Sequence, residues 1–275
     1  MYSIFNFKVR GQEAGKVTVS GESSHRVTLS KVKKGTRLFL ETAEDGTPPV
    51  AIRSAENDKD VDWDSGIVDL AQISQIANRQ IVNSIKLGKF AETIASIRAT
   101  ALSRQIGERA TYLMLQANTD DAKITIGSHM PGSILLMEAG ETALLVRKGG
   151  FMVGQEGIVI GRFTLTGENS KLYSQMLGNG FLQSISGSGF YCIEIFGNCP
   201  EPTELFPGET LIVDPKRLIA MTESVHIISP WKVSEQQNVR DAEGADYFLT
   251  LKADIRGGYV YVSDLPQTPK HKKKN

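Results

Sequence analysis

The sequence predicts a mainly β protein with one helical insertion. Apolar residues alternate with polar ones near the N-terminus, short apolar runs recur between glycines in the latter half, and the apolar spacing is helical only between these two regions. Because no helical segments separate the later strands, a sandwich or barrel is favoured over an alternating α/β sheet. The predicted parts are a β region at 1–62, a helical hairpin at 63–109, a β domain at 110–265 and a basic, disordered tail at 266–275.

The N-terminal region has the pattern of β-hairpins. Its turns are predicted at Gly11, Gly21 and Gly46. The alternating apolar residues between them are Phe5, Phe7 and Val9, then Val17 with Val19, then Val27 with Leu29.

Helical spacing begins near Asp64 or Ser65, either of which is a suitable N-cap. Gly88 ends the first predicted helix and Gly107 follows the second. The apolar positions are Ile67, Leu70, Ile73, Ile76, Ile81 and Ile85 in the first helix, and Phe90, Ile94, Ile97, Ala101 and Ile106 in the second. The hairpin is basic, and its candidate contacts for a partner or a nucleic acid are Arg79, Lys86, Lys89, Arg98 and Arg104. The alternative is an ordinary solvated helix face.

The latter half returns to short strands. They are predicted at 112–115, 124–126, 134–137, 143–146, 158–165, 181–184, 190–196, 226–228, 247–251 and 259–262. The central stretch is Glu204 to Val225, where Pro207-Gly208 predicts a tight turn and Asp214-Pro215 ends the following strand. The apolar run Leu211-Ile212-Val213 indicates a strand buried on both faces.

A similar phrase, a turn glycine followed by an apolar run, also begins at Gly35 and at Gly140. It indicates either one hairpin unit used three times or a chance recurrence of turn and strand.

Composition and motifs give no sign of catalysis. Basic and acidic residues number 31 each, so no net charge draws the whole protein onto nucleic acid or membrane. The four histidines are isolated, and no nucleophile elbow occurs in a strand-to-helix setting. Cys192 and Cys199 are too few for a disulfide framework. We therefore expect no catalytic residues, no metal and no cofactor, and a soluble protein without a transmembrane segment.

Residues 133 to 262 resemble the altered inheritance of mitochondria protein 24 family. The likeness is carried by Gly140-Glu141, Gly180-Phe181-Leu182-Gln183-Ser184, Leu205 to Asp214, Leu218-Ile219-Ala220, Ser224-Val225 and Gly257 to Val262. The Pro-Gly-Glu-x-Leu-x-Val-Asp phrase at 207–214 is its most specific part. The resemblance implies a double-stranded β-helix grouped with the tryptophan RNA-binding attenuation protein, and a tendency to assemble. It also implies a location in the bacterial cytoplasm or the mitochondrion, and a link to the mitochondrial inner membrane and respiratory complexes. It implies no catalytic residues, and the RNA-binding relative does not by itself imply RNA binding here.

The first functional hypothesis is a non-enzymatic assembly or scaffold protein that binds protein partners or itself. The alternative is a binding module for RNA or a small ligand, using the basic helical hairpin or the mouth of a barrel. An enzyme with a diverged site ranks last.

Overall fold

The computed structural model describes residues 3–9, 12–20, 26–41, 53–54, 63–69, 111–127, 132–147, 149–166, 170–177, 181–198, 201–232 and 247–265. Within these residues the chain forms strands and one short helix, α1 (Ser170–Met176). The first ten strands are β1 (Ser3–Val9), β2 (Gln12–Ser20), β3 (Arg26–Val32), β4 (Arg37–Glu41), β5 (Arg53–Ser54), β6 (Trp63–Asp69), β7 (Thr111–Ala117), β8 (Ala122–Gly127), β9 (Gly132–Ala139) and β10 (Leu144–Val146). The others are β11 (Phe151–Gln155), β12 (Ile158–Thr164), β13 (Phe181–Gly187), β14 (Gly189–Phe196), β15 (Thr203–Leu205), β16 (Thr210–Val213), β17 (Leu218–Thr222), β18 (Val225–Lys232), β19 (Tyr247–Ala253) and β20 (Gly258–Val262).

The chain divides into two compact units. Unit 1 comprises Met1–Glu141, Phe151–Ile160 and Ile185–Glu194. Unit 2 comprises Thr142–Gly150, Gly161–Ser184 and Ile195–Asn275.

Unit 1 contains two sheets that share one apolar core. Their strand orders are β1-β2-β3-β8-β5 and β6-β7-β4-β11-β14-β9. Alternation places Val17, Val27 and Ile124 of the first sheet in the same buried cluster as Leu38 and Phe190 of the second. Each such side chain, once buried, contributes about 1.5–3 kcal/mol relative to exposure to water. The alternating residues Val17, Val19, Val27 and Leu29 of the N-terminal region therefore all pack into this core.

Unit 2 contains most of a six-stranded sheet and all of a three-stranded sheet. The six-stranded order is β12-β13-β10-β17-β20-β15, and the three-stranded order is β16-β19-β18. Both sheets and helix α1 supply side chains to one core, including Leu145, Tyr173, Leu218, Leu249 and Val260. Pairing is antiparallel between β16 and β19 and between β18 and β19. β19 is thus the centre of the smaller sheet.

Arg147 ties three segments of unit 2 together. Its guanidinium donates to the backbone carbonyl oxygens of Leu177 at 2.9 Å, Lys216 at 3.0 Å and Pro215 at 3.4 Å. Burial lowers the pKa of Arg147, and the nearby Asp214 carboxylate opposes that shift. The Arg147 guanidinium therefore binds a carbonyl oxygen at the end of α1 and two carbonyl oxygens in the turn before β17.

The mainly β prediction is confirmed, and the sheets are antiparallel and open at both ends of their strand orders. Every strand predicted in the latter half overlaps an observed strand. The three glycine-led phrases also form strands, β4, β10 and β16, but these lie in three different sheets.

Two predictions need correction. Trp63–Asp69, predicted to include the start of the first helix, forms strand β6, which pairs with β7. The β-branched Ile67 and Val68 suit this pleated pairing better than a helix. The rest of the helical hairpin and the basic tail lie outside the described residues. The second correction concerns β16, which is not buried on both faces, because Ile212 is 52% exposed.

We expect the substitution Arg147→Ala to lower the free energy of unfolding by about 2–4 kcal/mol, because it leaves buried carbonyls without a donor. The matched control is Arg217→Ala, in the same turn as the Pro215 and Lys216 carbonyls. The exposed Arg217 guanidinium lies 3.6 Å from Asp214 and donates to the Asp264 carbonyl oxygen. This exposed pair is worth at most about 1 kcal/mol. Urea unfolding measures both, and equal losses would contradict the assigned role of Arg147.

Candidate functional site

Large apolar side chains face water around two turns of unit 2. Ile255 is 91% exposed, Phe206 is 66% exposed and Tyr259 is 42% exposed. We call these three residues the apolar corner. Single exposed apolar residues are common on proteins, whereas several on adjoining turns mark an interaction surface.

The first turn spans Phe206 to Glu209. The Glu209 amide donates to the Phe206 carbonyl oxygen at 2.9 Å, and Gly208 has a φ of +79°. This is the turn that Pro207-Gly208 predicts, with proline at the second position and a positive φ at the third. The Glu209 carboxylate turns back and accepts a hydrogen bond from the Phe206 amide at 2.9 Å. The backbone that carries Phe206 is therefore closed from both ends.

The second turn spans Asp254 to Gly257 and carries Ile255 at its tip. The Gly257 amide donates to the Asp254 carbonyl oxygen at 3.1 Å. The Asp254 carboxylate accepts from the Arg256 amide at 2.8 Å and from the Arg256 Nη2 at 2.7 Å. The hydrogen bonds from the Arg256 side chain are the largest of the effects that lower the pKa of Asp254. Ile255 is thus held outward by the polar residues on either side of it.

Ala253 joins the two turns. Its carbonyl oxygen accepts from the Gly208 amide at 3.1 Å, and its amide donates to the Glu209 carbonyl oxygen at 3.0 Å. Gly257 also lies close to the first turn, since a Cβ added there would meet the Leu205 carbonyl oxygen at 2.9 Å. The backbone that carries the apolar corner is therefore fixed by hydrogen bonds between the two turns.

Charges of both signs surround the apolar corner. Arg256 Nη1 lies 3.7 Å from Glu223 Oε1, and His226 Nε2 lies 3.8 Å from Asp254 Oδ2. The Tyr259 hydroxyl donates to Glu204 Oε1 at 3.5 Å. An apolar centre with a mixed polar rim is the usual composition of a protein–protein interface.

Unit 1 has a concave region of about 450 Å³. It is lined by Asn6, Glu13, Gly15, Lys16, Lys31, Lys33, Asp120 and Asp121. Lys31 and Asp121 both have positive φ, at 54° and 67°. Three ammonium groups and three carboxylates balance in this region, so it has no net field for an anion or a cation.

Two buried ionisable groups of unit 1, Cys192 and Tyr112, are held in their protonated forms. Burial raises the pKa of the Cys192 thiol far above neutrality, so the thiolate nucleophile is not formed there. Burial also raises the pKa of Tyr112, whose ring packs edge-on to Phe151 at 6.1 Å between centroids. Within the described ranges, no three His, Cys, Asp or Glu residues converge as metal ligands.

The sequence-predicted contacts Arg79, Lys86, Lys89, Arg98 and Arg104 all lie outside the described residues. The structure therefore neither brings them together nor separates them. The apolar corner was missed by sequence reasoning. Its signals were a Phe directly before Pro-Gly and a lone Ile between Asp254 and Arg256, both in turns where water-facing residues are normally polar.

In the described part of the chain, no helix has both the length and the apolar character needed to cross a membrane.

Comparison with known proteins identifies a family and solved structures of similar fold. The profile of a family described as mitochondrial biogenesis AIM24 matches residues 86–258. A crystal structure of a Streptococcus pyogenes protein aligns with 96% of this chain and 94% of its own, with a TM-score of 0.53 and 16% identity. At that identity the likeness concerns the fold alone. No curated protein matches the sequence significantly.

The two turn glycines provide a matched stability test. We expect Gly208→Ala to cost about 1 kcal/mol, because positive φ strains a residue with a Cβ. We expect Gly257→Ala, at a φ of +70°, to cost at least about twice as much, because its Cβ also collides with the Leu205 carbonyl oxygen. Urea unfolding measures both. Equal costs would mean that the two turns are not held in contact.

Asp254 should make unit 2 sensitive to acid. Its pKa is lower folded than unfolded, so it contributes stability above its ordinary pKa that is lost as pH falls through the lowered value. The urea midpoint of the Asp254→Asn variant should therefore fall less than that of the wild type between about pH 6 and about pH 2.5. The control is Glu201→Gln, an exposed carboxylate outside both turns, which should follow the wild type. Identical curves for Asp254→Asn and the wild type would contradict the role of the Asp254–Arg256 pair.

Proposed function

This chain belongs to the mitochondrial biogenesis AIM24 family, and from that premise we propose that it is a non-enzymatic assembly protein. It organises other proteins by presenting the apolar corner of unit 2 as a docking surface. The observation that carries the proposal is the exposure of Phe206 and Ile255 on two turns that are fixed by hydrogen bonds to Ala253. Large apolar side chains that face water on rigid turns cost free energy, and a partner that covers them removes that cost.

The chemistry of the partner follows from the rim of the corner. Ile255 and Phe206 need an apolar recess, and the rim beside them carries a cation, Arg256, and an anion, Glu204. Such a partner is a folded protein surface rather than an anionic membrane or an RNA, because the rim has both signs of charge. The basic segment on which the RNA alternative rests lies outside the described residues.

The family supports a biological setting for this role. Its description as a mitochondrial biogenesis family is consistent with an assembly protein, and we propose support of the inner membrane or of respiratory complexes as its specific form. We also propose that the strands of unit 2 are wound as a double-stranded β-helix. The order β12-β13-β10-β17-β20-β15, in which neighbouring strands come from distant parts of the sequence, supports such winding.

We expect the double substitution Phe206→Glu with Ile255→Glu to abolish docking while leaving the fold intact, because both side chains face water. The tagged wild type and variant are purified from the native source, and co-purifying proteins are measured by mass spectrometry. The specific partner should be depleted at least about tenfold, as for hot-spot residues. It is then purified, and its binding to both proteins is measured directly.

The control is Phe163→Glu, an exposed aromatic residue on β12, which should retain the partner. Circular dichroism should show that all three proteins are folded. A partner set unchanged by the double substitution would refute the apolar corner as the docking surface. A wild type that binds no protein reproducibly would refute the assembly function.

A further inference from the structure

The smaller sheet of unit 2 has two edges of very different character. β18, at one edge, has a bulge between Ile227 and Ser229, a proline at Pro230 and a lysine at Lys232. Bulges, prolines and lysines are the features by which proteins prevent an edge strand from pairing with another chain. β18 is therefore a protected edge.

β16, at the other edge, has none of these features. Its four residues, Thr210 to Val213, include no charge, proline or glycine, and its pairing with β19 runs without a shift in register. The acidic side chains on either side of it bind backbone amides within their own turns. Glu209 accepts from the Phe206 amide at 2.9 Å, and Asp214 accepts from the Lys216 amide at 2.8 Å. No described charge therefore guards this edge.

The backbone of β16 points two residues outward. The Ala253 amide donates to the Glu209 carbonyl oxygen, so Glu209 faces β19. Because ladder hydrogen bonds come from alternate residues of an antiparallel strand, Leu211 and Val213 also face β19. The amide and carbonyl groups of Thr210 and Ile212 then point away from the sheet. Thr210 is exposed, and the Ile212 side chain is 52% exposed.

We infer that β16 pairs antiparallel with β16 of a second copy of this chain, across a two-fold axis. The inference rests on the proposed assembly function and specifies one of its contacts. Pairing would join the two three-stranded sheets into one six-stranded sheet and satisfy the outward groups of Thr210 and Ile212.

Charge and symmetry favour a second copy over a different protein. Antiparallel pairing about a two-fold axis brings identical strands together. Because β16 has no charged residue, it meets no charge on the copy and there is no repulsion between the two strands. The whole chain has equal numbers of acidic and basic residues, so two copies do not repel each other.

The test compares two isoleucines of the same sheet. Ile212→Lys places like charges across the two-fold axis at the open edge. Ile228→Lys makes the same change on the protected strand β18, where the isoleucine is 47% exposed. Sedimentation velocity of the full chain should show a wild-type dimer of twice 30.1 kDa. The dimer dissociation constant should rise at least about tenfold for Ile212→Lys and stay unchanged for Ile228→Lys.

Hydrogen exchange supplies a readout that tests the strand directly. The amides of residues 210 and 212 should be protected in the wild-type dimer and exchange fast in the Ile212→Lys protein, whose thermal unfolding should stay cooperative. An oligomer that Ile212→Lys leaves intact overturns the edge pairing and leaves the assembly function standing. A monomeric wild type that still binds a partner through the apolar corner does the same. Equal weakening by both lysines also overturns it, because the sheet face would then be the contact.

Discussion

The two hydrogen bonds of Ala253 are the constraint on which unit 2 depends. These bonds join the end of β19 to the Phe206–Glu209 turn and fix the residue at which β16 begins. The same strand pairs with β18 on its other side. The backbone pairing of β19 sets the positions of the turns that carry Phe206 and Ile255. It also sets the orientation of Thr210 and Ile212 and the register of the three-stranded sheet. Backbone pairing sets where these turns lie, and the carboxylates of Glu209 and Asp254 then close them.

Much of the fold is readable from the sequence, because strand patterns are local. Alternating Val17 and Val19, or Val27 and Leu29, mark strands wherever one face is buried. β11 was missed because Gly154 and Gln155 interrupt its apolar run. It is nevertheless a central strand between β4 and β14. Its neighbours come from distant segments, and tertiary pairing of that kind leaves no local signal.

The candidate site was harder to predict for the same reason. Leu211-Ile212-Val213 looks the same whether its strand is central or at an edge, since the run records local preference and not the number of neighbours. The turn at Pro207-Gly208 was predicted correctly, yet nothing local shows that a second turn lies against it. That contact brings together the two turns that carry Phe206 and Ile255. An interaction surface made of turns is therefore visible only once the fold is known.

The protected strand β18 also sets the size that an assembly can reach. A sheet that grows by adding strands continues for as long as each newcomer offers another free edge. Here the proline and the bulge close the far side, so joining two molecules leaves no site for a third by the same route. In the dimer that we infer, sheet extension would therefore stop at two molecules and give a complex of fixed stoichiometry instead of a growing fibril.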